Sequence, residues 1–270
     1  MKLYVPVSFL AAGWEHRALI LQLARRRIAA RYRGSLLGGL WAVVHPIMML
    51  CVYTFVFSYV LQARTGLASN SQAHFALFVF SGMIVYSIFA ESVNDAPTLV
   101  LGNRNYIKHL LFPVEVLSWV SVMSGLFSFA VSFVILICFS SYMNGPPPLT
   151  ALFVPVLVLP IVLLTVGLSW FLSSLGTFLQ DLSQGTGVVT TALFFLSPIF
   201  YPVTAIPEPI RRYCYLNPFT FTLETIRAVL FEGATPDWRA LAVLTFASFV
   251  VAWLGYVWFM KTKGAFSDVL

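Results

Sequence analysis

Apolar residues gather into long blocks along the chain, and short polar gaps separate these blocks. A helix needs about twenty apolar residues to cross the hydrocarbon core of a bilayer. Six blocks approach or exceed that length, the fifth being the shortest. They cover Leu37–Leu61, His74–Ser92, Val114–Ser141, Leu152–Gly176, Gly187–Tyr201 and Arg239–Met260. The pattern predicts an all-α polytopic membrane protein with six transmembrane helices.

The cationic residues are distributed unevenly about these blocks. Seven of the sixteen Lys and Arg residues precede the first block: Lys2, Arg17, Arg25, Arg26, Arg27, Arg31 and Arg33. Cytoplasmic segments of membrane proteins carry such an excess, so we expect the N-terminus in the cytoplasm. An even number of spans returns the C-terminus to the same side. Arg104, Lys108, Lys261 and Lys263 agree with this orientation, whereas Arg64, Arg211, Arg212, Arg227 and Arg239 are exceptions.

We therefore divide the chain into a cytoplasmic N-terminal segment (1–36), a transmembrane domain (37–262) and a cytoplasmic tail (263–270), in the inner membrane. Before the first span, Trp14 to Arg33 mixes aliphatic residues with an arginine cluster. This composition predicts an amphipathic helix in the head-group layer, in contact with membrane lipids. The alternative is a solvated basic segment that only sets the topology.

The polar segment 94–113 joins the predicted second and third spans. It holds Asn103, Asn105 and Lys108 around Tyr106 and Ile107. A short cytoplasmic helix with exposed aromatic and aliphatic side chains suits docking to a partner. A plain connector is the alternative.

The segment 202–236 joins the predicted fifth and sixth spans and contains two short apolar stretches. Ile210–Leu216 and Phe219–Phe231 are separated by Asn217 and Pro218. Each stretch is too short to span a membrane, and both are too apolar for a free loop. They predict a re-entrant hairpin of two short helices on the outer face, where a pore mouth satisfies the broken backbone. An amphipathic loop resting on the lipid surface is the alternative.

The chemistry that the chain lacks excludes several functions. It has no G-x-x-x-x-G-K-[ST] phosphate loop, so any ATP must be hydrolysed by another subunit. The middles of the predicted spans carry no Asp, Glu, Lys or Arg, which argues against an ion-coupled carrier. The sequence contains no D-x-D motif and no histidine cluster that would indicate an enzyme. Its three cysteines are too far apart to predict a metal site. The net charge of +6 is explained by cytoplasmic segments and does not indicate a nucleic-acid partner.

Aromatic residues are abundant, with 25 Phe, 11 Tyr and 7 Trp. Tyr53 and Phe57 lie four residues apart on the first predicted span, and Phe195, Phe200 and Tyr201 crowd the end of the fifth. Aromatic faces suit sugar rings, so these five residues are candidates for a substrate path. Ordinary helix packing and interfacial anchoring are the competing explanation for each of them.

Several motifs in a fixed order resemble one family. Arg31 to Trp41, continuing to His45 and Pro46, resembles the R-Y-x-x-S-x-L-G-x-x-W-x-x-x-x-P opening of type-2 ABC exporter permeases for polysaccharides. The remaining matches are Asn105-Tyr106-Ile107-Lys108, Phe112 to Val116, Ser197-Pro198-Ile199, Tyr201-Pro202 and Asn217-Pro218-Phe219. That family comprises exporters of O-antigen, capsule and teichoic acid.

The resemblance implies a homodimer of six-helix permeases with two separate ATPase subunits, which bind ATP and Mg, and no cofactor in this chain. It implies a continuous channel between the two permeases for a lipid-linked polysaccharide, with O-antigen as the first choice. Our own hypothesis is that the first and fifth spans form this path. Two further groups of residues take their roles from the resemblance, and a third is our own expectation that cations of the basic helix meet the phosphate of an arriving head group. They are a gate (Ile210, Tyr213, Asn217, Pro218, Phe219), an ATPase-coupling set (Asn103, Asn105, Tyr106, Ile107, Lys108, Asp181) and a lipid head-group site (Arg25, Arg27, Arg31, Arg33).

One position departs from the family pattern, since Gln180 precedes Asp181 where the family often has arginine. A charged contact with the ATPase at Gln180 is therefore not expected, although Asp181 still serves. The alternatives are a type-2 permease for a drug or lipid, one for capsule or teichoic acid rather than O-antigen, and a scaffold for another membrane complex.

Overall fold

The computed structural model describes residues 8–56, 72–104 and 112–266, and every regular element within these ranges is helical. The α-helices are α1 (Ser8–Glu15), α2 (Arg17–Tyr32), α3 (Trp41–Thr54), α4 (Gln72–Gly102), α5 (Val116–Asn144), α6 (Val154–Phe178), α7 (Leu182–Leu196), α8 (Glu208–Cys214), α9 (Pro218–Arg227) and α10 (Trp238–Thr262). Short 3-10 turns lie at Gly38–Leu40, Leu149–Phe153, Val203–Ala205 and Lys263–Ala265. The predicted all-α class is confirmed.

Four stretches of the described chain are long and apolar enough to cross a bilayer. They are His74–Gly102, Val116–Met143, Leu149–Phe178 and Trp238–Ala265, which correspond to the second, third, fourth and sixth predicted spans. The first and fifth predicted spans coincide with the shorter apolar stretches Gly38–Thr54 and Leu182–Leu196. At about 1.5 Å per residue, Leu182–Leu196 covers about 23 Å, short of the roughly 30 Å hydrocarbon core. The predicted end of the first span, at Leu61, lies outside the described residues.

The fifth predicted span is displaced toward the N-terminus. We expected it over Gly187–Tyr201, whereas α7 ends at Leu196. Ser197 is extended, with φ −83° and ψ 145°, because the ring of Pro198 disfavours helical conformation in the residue before it. Proline therefore ends the helix before the aromatic residues Phe200 and Tyr201.

Helix α4 extends beyond the predicted end of the second span at Ser92. The expectation of a loop beginning at Asn94 is corrected, since residues 94–102 are helical. Asn94 accepts a hydrogen bond of 2.9 Å from the Thr190 hydroxyl, and Asp95 accepts one of 3.0 Å from the Ser121 hydroxyl. Neighbouring helices satisfy these polar side chains, so the polar sequence does not end the helix.

Helix α4 also forms the centre of the bundle. In the apolar window of α4, 78% of the residues are buried, compared with 28% in that of α10. The helix contacts α3, α5, α6, α7 and α9. Its residues Leu77, Val79 and Ile88 are among the most deeply buried of the main core. A displacement of either end of α4 would therefore alter its contacts with several helices.

Helices α6 and α10 pack with their backbones in direct contact. A Cβ atom added at Gly167 would lie 2.6 Å from the Ala252 Cα, which is closer than carbon atoms can approach. Gly255 faces Gly167 in the same contact. Small residues allow helices in membranes to approach this closely. The pair therefore depends on the absence of side chains at these positions.

The predicted interfacial helix Trp14–Arg33 corresponds to two helices, since α1 ends at Glu15 and α2 begins at Arg17. Ile20 and Ala24 of α2 are buried against Val116 and Val120 of α5. The opposite side of α2 includes the exposed Arg25 and Arg26. Leu21 is also exposed, at 46%, so the apolar side chains of α2 are not confined to its buried side. The place of α2 in the head-group layer stays a prediction.

Candidate functional site

Two polar sites lie toward the two ends of α4. One surrounds Phe78 and contacts the hairpin (residues 202–236), and the other surrounds Glu91 and Asp95 and contacts α2. Phe78 and Asp95 are about 25 Å apart along the helix axis. The central helix thus connects two regions that the sequence assigns to different functions, the gate and the lipid head-group site.

The hairpin contains the two short helices that the sequence predicts there, α8 and α9. Asn217 starts α9 as its N-cap, since its side-chain oxygen accepts a hydrogen bond of 3.0 Å from the Phe219 amide. Pro218 occupies the first helical position, where no amide proton is needed. The Thr220 hydroxyl donates to the Cys214 carbonyl and so ties the two helices together.

The predicted gate residues differ in exposure between the two helices. On α8, Ile210 is 56% exposed and Tyr213 is 70% exposed. On α9, Phe219 is 1% exposed, and its ring centroid lies 5.0 Å from those of Tyr86 and Phe89 on α4. Helix α9 is therefore anchored in the core, while α8 presents apolar side chains on its surface.

Arg227, the last residue of α9, anchors the hairpin to the bundle. It is 5% exposed, and its guanidinium donates hydrogen bonds to the carbonyl oxygens of Pro198 (2.7 Å), Ile199 (2.9 Å) and Phe78 (3.1 Å). The Arg227 Cζ atom also lies 3.4 Å from the centroid of the Phe78 ring. Pro198 and Ile199 follow the C-terminus of α7, where carbonyl groups have no partner within a helix. The guanidinium satisfies them.

Sequence reasoning noted Arg227 only as one of the cations that are exceptions to the predicted orientation. Within the described residues no carboxylate forms an ion pair with it. Burial lowers the pKa of Arg227, and the charge of Glu224 partly opposes this effect. Burial also raises the pKa of the Glu224 carboxyl, which accepts a hydrogen bond of 3.0 Å from Tyr215. The sequence did contain a signal for the buried role of Arg227, since this arginine lies within the apolar stretch Phe219–Phe231.

A second contact links the hairpin to α7. The Asn217 side-chain amide donates a hydrogen bond of 2.9 Å to the Ser197 hydroxyl. Two motifs that are twenty residues apart in the sequence, Ser197-Pro198 and Asn217-Pro218, therefore meet in the structure. Together with Arg227, this contact fixes α9 to the turn that follows α7.

The predicted aromatic path is only partly a single cluster. The Phe195 and Phe200 rings stack with centroids 6.1 Å apart, and the Tyr201 hydroxyl donates to the Phe195 carbonyl at 3.2 Å. Tyr53 lies elsewhere, on the wall of a cavity beside α3. Phe57 lies outside the described residues. The structure thus brings together the three predicted residues at the end of α7.

The predicted ATPase-coupling set is described in part. Asn103 is half-buried, and its side-chain amide donates a hydrogen bond of 2.7 Å to the Leu99 carbonyl. Asp181 is exposed between α6 and α7, next to the exposed Gln180. Asn105, Tyr106, Ile107 and Lys108 lie outside the described residues. A docking role for this set stays a prediction.

The predicted head-group arginines fall into two pairs. Arg25 and Arg33 are exposed. Arg27 forms an ion pair with Asp95, and Arg31 forms one with Glu91. Sequence reasoning singled out neither Glu91 nor Asp95. The spacing gave a cue. Arg27 and Arg31 lie four residues apart on α2, and Glu91 and Asp95 lie four residues apart on α4. Residues four apart share one face of a helix.

Arg31 and Glu91 also line a cavity of about 620 Å³ between α3, α4 and α5. Near these two residues the wall includes polar side chains, Tyr32 and Ser128 among them. Elsewhere the wall is mostly apolar, with Met49, Phe80 and Met83. Among the described residues no group of three His, Cys, Asp or Glu side chains is placed to hold a metal ion.

Comparison with known proteins gives a consistent picture over nearly the whole chain. The family model of the ABC-2 type transporter matches residues 18–231. The match begins in α2 and ends after α9, so it includes both polar sites on α4.

The O-antigen export system permease protein RfbA of Myxococcus xanthus is 26% identical over 257 residues, which cover 94% of this chain and 96% of the relative. A protein of the same name from Klebsiella pneumoniae is 24% identical and covers 93% and 95%. The polysialic acid transport protein KpsM of Escherichia coli is 23% identical over 249 residues, covering 90% and 93%. The similarity to these relatives extends over almost their full lengths.

Proposed function

The chain belongs to the ABC-2 type transporter family. From this premise we propose that it is the membrane-spanning subunit of an ATP-driven exporter of lipid-linked polysaccharide, with O-antigen as the first candidate substrate. The observation that carries this proposal is the end-to-end similarity to relatives named for O-antigen export. The chain has no phosphate-binding loop of its own. A separate ATPase subunit therefore binds ATP and Mg in this proposal, and two copies serve a permease homodimer.

In the proposed topology the chain crosses the inner membrane six times, with both termini in the cytoplasm. The helices α3 and α7 supply the first and fifth spans, although α7 is shorter than the four long apolar stretches. The excess of cations before α3 supports this orientation. Helices α8 and α9 form the re-entrant hairpin on the outer face.

The proposed substrate path runs along α3 and α7, and the hairpin is its outer gate. The exposed aromatic rings at the end of α7 support this placement, since Phe195 is 61% exposed. Such rings offer apolar contact to sugars without hydrogen bonds that hold a sliding chain. The exposed Ile210 and Tyr213 of α8 form the movable side of the gate, and the buried Phe219 of α9 forms its fixed side.

The proposed contact with the ATPase involves Asn103, residues 105–108 and Asp181. The exposed turn between α6 and α7 supports this assignment, because it presents Phe178, Leu179 and Asp181 together. At the same end of the bundle, the arginines of α2 offer cations to the phosphate of the lipid carrier. Arg25, Arg27, Arg31 and Arg33 are the candidates.

A capsule polysaccharide is the second candidate substrate. The full-length similarity to a polysialic acid transport protein favours it. Both candidates are charged or polar glycans on a lipid carrier. Transport of each glycan identifies the substrate.

The test is transport in vesicles that contain the permease together with its ATPase subunit. Lipid-linked O-antigen presented on the ATPase side should reach the opposite side when ATP is added, and not when a nonhydrolysable analogue replaces it. The matched control contains the permease without the ATPase. Movement of the glycan in that control, driven by an ion gradient, would contradict the proposal, as would ATP-dependent transport of small drugs with no transport of glycan.

A further inference from the structure

Two arginines of α2 face two carboxylates of α4 in antiparallel order. Arg27 pairs with Asp95, and Arg31 pairs with Glu91. We name these two contacts the ion-pair ladder. All four side chains are partly exposed, between 24% and 37%, so neither pair is sealed from solvent.

The two pairs of the ladder have different surroundings. Asp95 also accepts a hydrogen bond of 3.0 Å from Ser121, and neither Arg27 nor Asp95 lines the 620 Å³ cavity. Arg31 and Glu91 both line that cavity, and Arg31 also donates to the Ser128 hydroxyl at 3.3 Å. One pair thus fastens α2 to the bundle, while the other stands at a cavity.

The cavity has the chemistry of an amphiphile site. Arg31 contacts both Glu91 and Ser128 at this cavity. The apolar lining residues Phe80 and Met83 lie about 12 to 16 Å from Glu91 along the axis of α4. The polar residues His45, Ser87 and Ser132 also line the cavity. A carboxylate and a phosphate both accept hydrogen bonds from the in-plane N–H edge of a guanidinium. Glu91 therefore occupies the position on Arg31 that a phosphate oxygen would take.

We propose that this cavity binds the phosphate head group of the lipid carrier, and that Glu91 is the intramolecular anion that the head group displaces from Arg31. The inference rests on the proposed lipid-linked substrate. In the unliganded state Glu91 neutralises Arg31 and keeps other anions from binding. On binding, the phosphate group takes over Arg31, the first part of the lipid tail lies along the apolar lining residues, and the Arg27–Asp95 pair keeps α2 in place.

The experiment measures binding of farnesyl diphosphate to the full-length permease with its ATPase, in nanodiscs of phosphatidylcholine. Glu91→Gln removes the competing charge and should tighten binding about tenfold, as expected for one charge-assisted contact. Arg31→Gln should weaken binding by a similar factor. The matched control is Asp95→Asn, which breaks the other pair of the ladder and should change the affinity less than twofold.

Three outcomes would overturn the proposal. The first is an unchanged or weaker affinity in Glu91→Gln while the thermal unfolding temperature matches that of the wild type. The second is equal tightening in Asp95→Asn, because any loosening of α2 would then suffice. The third is tightening that persists in the double variant Glu91→Gln/Arg31→Gln, since the gain would then not act through Arg31.

Two further ligands test whether the phosphate groups, the lipid tail or both are needed for binding. Farnesol lacks the diphosphate and should bind equally to the wild type and Glu91→Gln. Inorganic pyrophosphate lacks the tail and should bind more weakly than farnesyl diphosphate, and equal affinities would show an anion site rather than a lipid site. Vesicle transport by the wild type tests the proposed function separately, so normal export with no effect of Glu91→Gln on binding would refute this inference alone.

Discussion

Arg227 is a buried cation whose partners are backbone carbonyl groups rather than carboxylates. Its three hydrogen bonds reach the turn after α7 and the helix α4. A carbonyl group left unpaired away from water is costly, and the planar guanidinium reaches three of them at once. A lysine at this position has a single ammonium centre and would not match that geometry.

We predict that Arg227→Met lowers the free energy of unfolding by about 3 kcal/mol or more, since it leaves several buried carbonyl groups without a donor. Arg227→Lys should fall between this variant and the wild type. Denaturant unfolding of the purified protein in detergent provides the measurement. Arg212→Met on the exposed face of α8 is the matched control and should change stability by less than about 0.5 kcal/mol. Equal losses in both variants would mean that the buried contacts of Arg227 do not stabilise the hairpin.

At the scale of elements, α6 and α10 depend on the absence of side chains at their contact. A methyl group at Gly167 would overlap the backbone of α10 at Ala252, and backbone atoms cannot move aside as a flexible side chain can. By contrast, a Cβ atom at Gly185 of α7 would meet no other atom within 4 Å. These two helical glycines therefore form a matched pair for a stability test.

We predict that Gly167→Ala destabilises the protein by about 2 kcal/mol, because the two helices must separate to admit the methyl group. Gly185→Ala should be neutral or stabilising by up to about 1 kcal/mol, since alanine restricts the unfolded chain and favours the helix. Thermal unfolding of both variants in the same detergent checks the difference. If Gly167→Ala unfolds at the wild-type temperature, α6 and α10 are not packed as closely as the structure shows.

At the scale of the whole molecule, α4 joins the two functional regions. Its N-terminal part contacts Arg227 of the hairpin, and its C-terminal part contacts α2 through the ion-pair ladder. The helix continues to Gly102, immediately before the predicted coupling residues. A displacement of that segment by an ATPase would therefore act on a helix that contacts the proposed head-group site and the proposed gate.

We predict that the double variant Tyr106→Ala/Lys108→Ala lowers the amount of ATPase that co-purifies with the permease and abolishes export. The reason is that both side chains belong to the predicted docking surface. Quantitative pull-down from membranes gives the first readout, and vesicle transport gives the second. Arg212→Ala, on the hairpin, should leave the ATPase association unchanged. Recovery of an intact complex from the double variant would exclude this docking role.

Much of the architecture follows from local sequence. Apolar blocks of about twenty residues form helices because a bilayer leaves no other partner for their backbone. Pro198 ends α7 and the pair Asn217-Pro218 starts α9 for reasons that concern only neighbouring residues. The motifs that resemble the polysaccharide-exporter permeases are likewise local, and the family they indicate is confirmed.

The tertiary structure alone decided which polar residues are satisfied, and by which partners. The sequence predicted that α4 would end near Asn94, and it did not indicate the carbonyl partners of Arg227. That end is wrong, and those partners were missed, because Thr190, Ser121 and the carbonyl groups of Phe78, Pro198 and Ile199 belong to helices and turns distant along the chain. A polar side chain buried among helices is stable only when such partners exist, and their positions are set by packing rather than by sequence neighbours.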